Sequence, residues 1–207
     1  MKGLLKKDFY QIWGYYKMYF AMTIIMELAA IWARNMFFVV YPIVMLCMLP
    51  TNLQTLDENG KWDVYCGTLP CTRAQVVTGK YLIGLIVTLP VVVLAVTCQS
   101  VGMKMNGMFT WGEVRGLLVS CLGVSLTMPM VSLPLIFKFG AVKSRVVTYV
   151  GIAFVVGAVT VLGLMLESDQ MPALAPGASI LGVALLAGLY LLSWYLSIRF
   201  YEKRNLG

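Results

Sequence analysis

From Thr78 to Val101 the chain carries a single charged residue, Lys80, and the run is long enough to cross a bilayer as a helix. About 20 predominantly apolar residues, rising 1.5 Å each, span the hydrocarbon core. Comparable runs extend from about Gly116 to Phe137, Val146 to Leu166 and Ala178 to Ile198. Two shorter ones precede them: Lys17 to Arg34, apolar except for Glu27, and Met36 to about Pro50. The Arg34-Asn35 turn makes these two a tight hairpin whose flanking Lys17 and Arg34 snorkel toward water. Backbone polar groups in lipid must be satisfied within the chain, which here leaves helices. The expected fold is therefore all-α: one transmembrane domain over residues 1–207 with six transmembrane helices, at about 17–34, 36–50, 78–101, 116–137, 146–166 and 178–198.

Composition agrees, with 60% hydrophobic and 12% charged residues, against about half and a quarter in soluble domains. The net charge of +7 does not point to nucleic acid, because the basic residues flank apolar runs. With the N-terminus inside, Lys2, Lys6, Lys7, Lys17, Lys61, Arg73, Lys80, Lys138, Lys143, Arg145, Arg199, Lys203 and Arg204 face the cytoplasm, and Arg34, Lys104 and Arg115 lie outside. Thirteen against three predicts a bacterial cell-membrane protein with both termini cytoplasmic. Five cysteines without a CxxC pair, and no histidine, leave disulfides, zinc sites and histidine-based catalysis unsupported. The basic N-terminus runs into amphipathic sequence without the short apolar core of a removable signal peptide.

Residues 1–16 place Leu5, Phe9, Ile12 and Tyr16 on one helical face, with Lys2, Lys6, Lys7 and Gln11 largely opposite. This predicts an amphipathic helix lying in the cytoplasmic interface, its lysines on membrane lipid headgroups. The segment 167–177 reads as a surface loop or a short re-entrant turn.

Few polar residues fall within the spans. Glu27 is the one acidic residue expected near a bilayer midplane, where insertion costs about 2.5–3.5 kcal/mol, so it faces protein or water as a functional group or as packing glue. In the fourth span Ser125 and Ser132 share a face with Cys121 and Met128, beside Pro129 and Pro134. Such a face suits a helix interface or the wall of a substrate pathway. No GxxxxGK[ST] is present, so the chain should bind no nucleotide itself, and it offers little for an intramembrane hydrolase.

The polar passage Asp57 to Arg73 interrupts the apolar runs, within a cytoplasmic region spanning residues 51–77. Asn59-Gly60 marks a turn, and Trp62, Val64 and Tyr65 form an aromatic segment rimmed by Asp57, Glu58 and Asp63. Leu69-Pro70 leads into Thr72-Arg73-Ala74-Gln75, a capping box that starts the third spanning helix in water. Aromatic anchors with a charged rim suit a protein contact; an interfacial aromatic belt is the plainer alternative.

At this passage the sequence resembles the small six-span permeases of the ABC transporter superfamily, type-2 exporter class. The resemblance rests on Asp57-Glu58, Trp62, Tyr65, Leu69-Pro70, Thr72-Arg73, Val76-Val77 and Lys80-Tyr81, and on the opening Met1 to Tyr10. It implies two permeases paired with two copies of a P-loop ATPase subunit, which holds the ATP and Mg2+ and docks on the loop between spans two and three. Asp57, Glu58, Trp62, Tyr65, Leu69, Pro70, Thr72 and Arg73 would be the ATPase-coupling residues. Among such permeases it is similar to those of phenol-soluble-modulin exporters of Gram-positive bacteria, which implies amphipathic peptides or antimicrobial compounds as substrates. The rival expectations are a non-transporting immunity or sensor protein, and an ion-coupled carrier using Glu27.

Overall fold

A computed structural model describes residues 2–33, 35–66, 72–107, 109–140, 143–144, 146 and 176–203. The elements are α1 (Lys2–Ala33), α2 (Met36–Cys47), α3 (Leu49–Asn59), α4 (Trp62–Cys66), α5 (Arg73–Met105), α6 (Trp111–Phe139) and α7 (Pro176–Lys203). No strand occurs among the described residues. The expected span 146–166 and the loop 167–177 fall almost entirely outside them, as do Arg34 and the lead-in Leu69-Pro70.

Local chemistry sets the helix ends. Asn35 caps α2, its side chain accepting from Phe37 N at 2.9 Å, and Thr110 caps α6 by accepting from Glu113 N at 3.4 Å. At α5 the capping box is formed in both directions, Gln75 N to Thr72 Oγ1 and Thr72 N to Gln75 Oε1, each at 3.3 Å. Only Met48 separates α2 from α3, and its helical φ of −82° lets the two run on as a nearly continuous rod. The expected turn follows, although the left-handed residue is Lys61, at φ 53°, and not Gly60.

Cross-helix contacts fix the directions. Asp8 meets Lys80 at 3.0 Å, and a Cβ on Gly102 would lie 2.8 Å from the Ile31 carbonyl oxygen. The offsets, 80 − 8 = 72 and 102 − 31 = 71, make α1 and α5 parallel and in constant register along their length. Cys47 and Thr51 bond Ser125 and Ser132 in the same order, so α2–α3 runs parallel to α6. Ser193 Oγ donates to Met130 O at 2.7 Å and the Phe137 and Tyr201 rings lie 5.2 Å apart, which aligns α7 with α6. Tyr81 meets Ser193 and Ser197 while Trp194 reaches back to Thr78, so α5 opposes α7. Thus α1 and α5 point one way, and α2–α3, α6 and α7 the other.

The α2–α3 rod forms the centre. Val39, Ile43, Leu46, Leu49 and Leu53 are fully or nearly fully buried, packed among Val87, Val91, Ala95, Leu117 and Cys121. Outward faces carry Phe9, Trp13, Trp32, Val93 and Leu191 exposed, as suits a lipid boundary.

Among the described residues, four helices are long and apolar enough to cross a membrane: Phe37–Asn59, Arg73–Met105, Trp111–Phe139 and Ala184–Lys203. The first helix is not among them. α1 is one continuous 32-residue helix across the boundary at residue 16 expected between an interfacial piece and a span. The ion pair to Lys80 and the buried Ile12 hold its first half against the bundle. The constant register levels Glu27 with Cys98 and Gln99, toward the far end of the uncharged run Tyr81 to Met103 on α5.

Candidate functional site

The polar passage folds into the end of α3, the short α4 and the first turns of α5. Its centre is a quartet of alternating charge. Lys7 Nζ lies 2.6 Å from Asp57 Oδ1 and 3.0 Å from Asp8 Oδ1. Lys80 Nζ lies 2.6 Å from Asp57 Oδ2 and 3.0 Å from Asp8 Oδ1. Two carboxylates and two ammoniums cancel in charge, and Gln11 Nε2 donates a further bond to Asp57 Oδ1 at 3.2 Å. Asp8, Asp57 and Lys80 are at most 4% exposed, while Lys7 reaches the surface. Taking such charges out of water costs several kcal/mol per ion and is offset only where each keeps its partners. The quartet therefore locks α1, α3 and α5 to one another.

Asp57 does not serve as the expected water-facing rim. Its side chain is 2% exposed, with both oxygens engaged inside the protein. Glu58 is half-buried and its carbonyl accepts from Lys61 N at 3.1 Å, within the turn that ends α3. Trp62 is half-buried, with Lys7 Nζ 4.4 Å from its ring centroid and the Tyr65 ring 5.3 Å away. Tyr65 is 57% exposed and projects as the outer aromatic of α4.

Thr72 and Arg73 are exposed at the start of α5. Arg73 Nη1 donates to the carbonyls of Tyr201 and Glu202, at 3.2 and 2.9 Å. These carbonyls belong to the last described turn of α7, toward the negative end of the helix dipole. Arg73 thereby ties the start of α5 to the last described turn of α7. One short segment is thus tied to α1 through Asp57 and Trp62, to α5 through its own continuation, and to α7 through Arg73.

The serines expected on a pathway take part in helix packing. Ser125 is buried, with its hydroxyl donating to Leu122 O at 2.9 Å and its carbonyl accepting from Cys47 Sγ. Ser132 shares a 2.9 Å hydrogen bond with Thr51. Glu27 is different: it is fully buried, and neither carboxylate oxygen has a hydrogen-bond partner among the described residues.

Sequence reading passed over Lys7, Asp8, Gln11 and Lys80 as a unit, although Lys80 alone carried a signal. A cation inside an otherwise uncharged run calls for a buried partner.

Neither curated proteins nor solved structures yield a match to this chain. Residues 3–202 match the family described as ABC-2 family transporter protein, from the first turn of α1 to the last of α7. Covering nearly the whole chain and every element of the site, that match makes this protein a member of the ABC-2 transporter family.

Proposed function

We propose that the chain is the permease subunit of an ATP-driven exporter whose ATP is hydrolysed by a separate P-loop subunit docked on the segment 57–73. The observation that carries this reading is the wiring of that segment: exposed Tyr65 and half-buried Trp62 stand outermost, and behind them Asp57 and Arg73 reach three long helices. A push on α4 would reach α1, α5 and α7 together. The coupling residues divide accordingly: Tyr65, Trp62, Glu58 and Thr72 face the partner, while Asp57 and Arg73 pass the movement inward, and Leu69 and Pro70 belong to the same contact by resemblance.

Six spans with both termini cytoplasmic, two copies of the chain and two ATPase subunits complete the proposal. Phe139 and Pro176 lie at opposite ends of the bundle, because α6 and α7 are parallel, which supports a further crossing between them. The family carries no substrate identity; the resemblance to phenol-soluble-modulin exporters is the ground for proposing amphipathic peptides or antimicrobial compounds.

Affinity purification from the native membrane tests the reading. A subunit bearing GxxxxGK[ST] should accompany the wild-type chain, and Trp62→Ala combined with Tyr65→Ala should release it and abolish ATP-dependent export. Retention of the ATPase and of export by the double variant would refute the docking assignment.

A further inference from the structure

On the outside of the α1–α5 pair runs an apolar groove of about 310 Å³, walled by Phe9, Trp13, Phe20 and Ile24 on α1 and by Ile86 and Leu94 on α5. All of these but Phe20 are exposed, so the groove opens outward. Apart from the Trp13 indole, the polar group lining it among the described residues is the Thr23 hydroxyl, which already donates to Tyr19 O at 2.8 Å. The constant α1–α5 offset gives the groove a depth. Phe9 is level with Tyr81, where the uncharged run of α5 begins, and Ile24 lies fifteen residues or about 22 Å farther along. One leaflet takes up about half of the ~30 Å hydrocarbon core, so an acyl chain fits lengthwise. A volume of about 310 Å³ over about 22 Å leaves a cross-section of about 14 Å². That is the girth of one methylene chain, whose carbons meet their neighbours at about 4 Å, and is far too narrow for a helix about 10–12 Å across.

Two cations stand beside this groove. Lys6 precedes Phe9 by one turn, and Lys17 lies four residues after Trp13 and three before Phe20. Both are exposed, and neither has an ion pair or hydrogen bond to another described residue. Lys6 is level with Thr78, outside the uncharged run, whereas Lys17 is level with Leu89, about 12 Å inside it. An ionisable residue at that depth calls for a partner. Side chains on a helix lean toward its N-terminus, so the Lys17 stem runs back along the groove toward Lys6. A second copy of the chain offers no carboxylate there: among the described residues the acids with exposed surface, Glu58, Glu113 and Glu202, all lie at helix ends.

We propose that this groove binds one acyl chain of an anionic phospholipid, with the phosphate between Lys6 and Lys17. Each ammonium brings three donors and no acceptor, and the phosphate diester brings only acceptors. On the orientation proposed above the lipid belongs to the inner leaflet; binding itself depends on neither that orientation nor the ATPase.

Tryptophan quenching in reconstituted vesicles tests this. The purified full chain is placed in dioleoylphosphatidylcholine, and that lipid is replaced stepwise by phosphatidylglycerol with brominated acyl chains. Lipid that merely surrounds the protein quenches in proportion to its share, whereas a site fills early and saturates. The wild type should show such an early phase, Trp13→Phe should lose it, and brominated phosphatidylcholine should not produce it. Lys6→Gln combined with Lys17→Gln, two exposed positions whose change spares the core, should move the early phase to about tenfold more phosphatidylglycerol. Quenching proportional to phosphatidylglycerol throughout, an equal early phase with phosphatidylcholine, or an early phase unchanged in either variant would overturn the site. Such a failure leaves ATPase docking untouched, just as loss of co-purification would leave lipid binding untouched.

Discussion

At the scale of single residues, Asp57 shows what the fold does with charge. It sits between two ammoniums, each 2.6 Å away, in a setting with almost no water. Asp57→Asn keeps the shape but leaves Lys7 and Lys80 to share the one carboxylate of Asp8, and an uncompensated buried charge costs about 3–5 kcal/mol. Denaturant unfolding in detergent should show that loss. Replacing Asp57 and Lys80 together by leucine and methionine should be less destabilising than Asp57→Asn alone, since the charges that remain, Lys7 and Asp8, still pair with each other. The capping box at Thr72 was legible because its atoms lie three residues apart. The quartet was not, because its bonds join positions 23, 50 and 72 residues apart, and no local pattern reports such distances. Glu27 was legible as an anomaly, but its height in the bundle came only from the register of a neighbouring helix.

At the scale of elements, the α1–α5 pair gives the amphipathic N-terminus a packing partner. An amphipathic face with lysines opposite fits an interfacial helix and a helix packed on a neighbour equally well, and only the partner tells them apart. The pair depends on Gly102, where a Cβ would meet the Ile31 carbonyl at 2.8 Å and backbone carbon beyond it. Gly102→Ala must push the helices apart, and should lower stability by about 1–3 kcal/mol, the usual cost of overpacking. Gly79→Ala, on the same helix with nothing within 4 Å of its added methyl, should be neutral or raise stability by about 0.5–1 kcal/mol. Comparing the two melts separates close approach from helix propensity. Arg73 offers a third element-level expectation. Arg73→Ala removes the bonds to two carbonyls in the last described turn of α7, a loss of about 1 kcal/mol at this exposed site. Limited trypsin digestion should then cut faster after Arg199, while cleavage elsewhere stays unchanged.

At the scale of the molecule, the long helices sort into two directions, and this makes orientation testable. The start of α6 and the end of α7 lie at opposite ends, since these helices are parallel. Gly112 and Lys203 are exposed at those two ends. The chain suits cysteine labelling, because Cys47, Cys66 and Cys121 are buried and Cys98 is half-buried, leaving Cys71 to be replaced by serine. On the proposed orientation, Gly112→Cys should react with a membrane-impermeant maleimide in intact cells, and Lys203→Cys only after permeabilisation. The reverse pattern would invert the protein and put the segment 57–73 outside, away from ATP. Equal reaction of both sites in intact cells would mean that the bundle does not cross the membrane along its length. The expected pattern puts the quartet, α4 and the last described turn of α7 on the cytoplasmic side, and the buried Glu27 about 28 Å away, 19 residues along α1 at 1.5 Å each. That separation is close to the thickness of the hydrocarbon core. A single helix pair in constant register would then link a charge lock at the inner surface to a buried carboxylate toward the outer one, and a force applied to α4 would reach both.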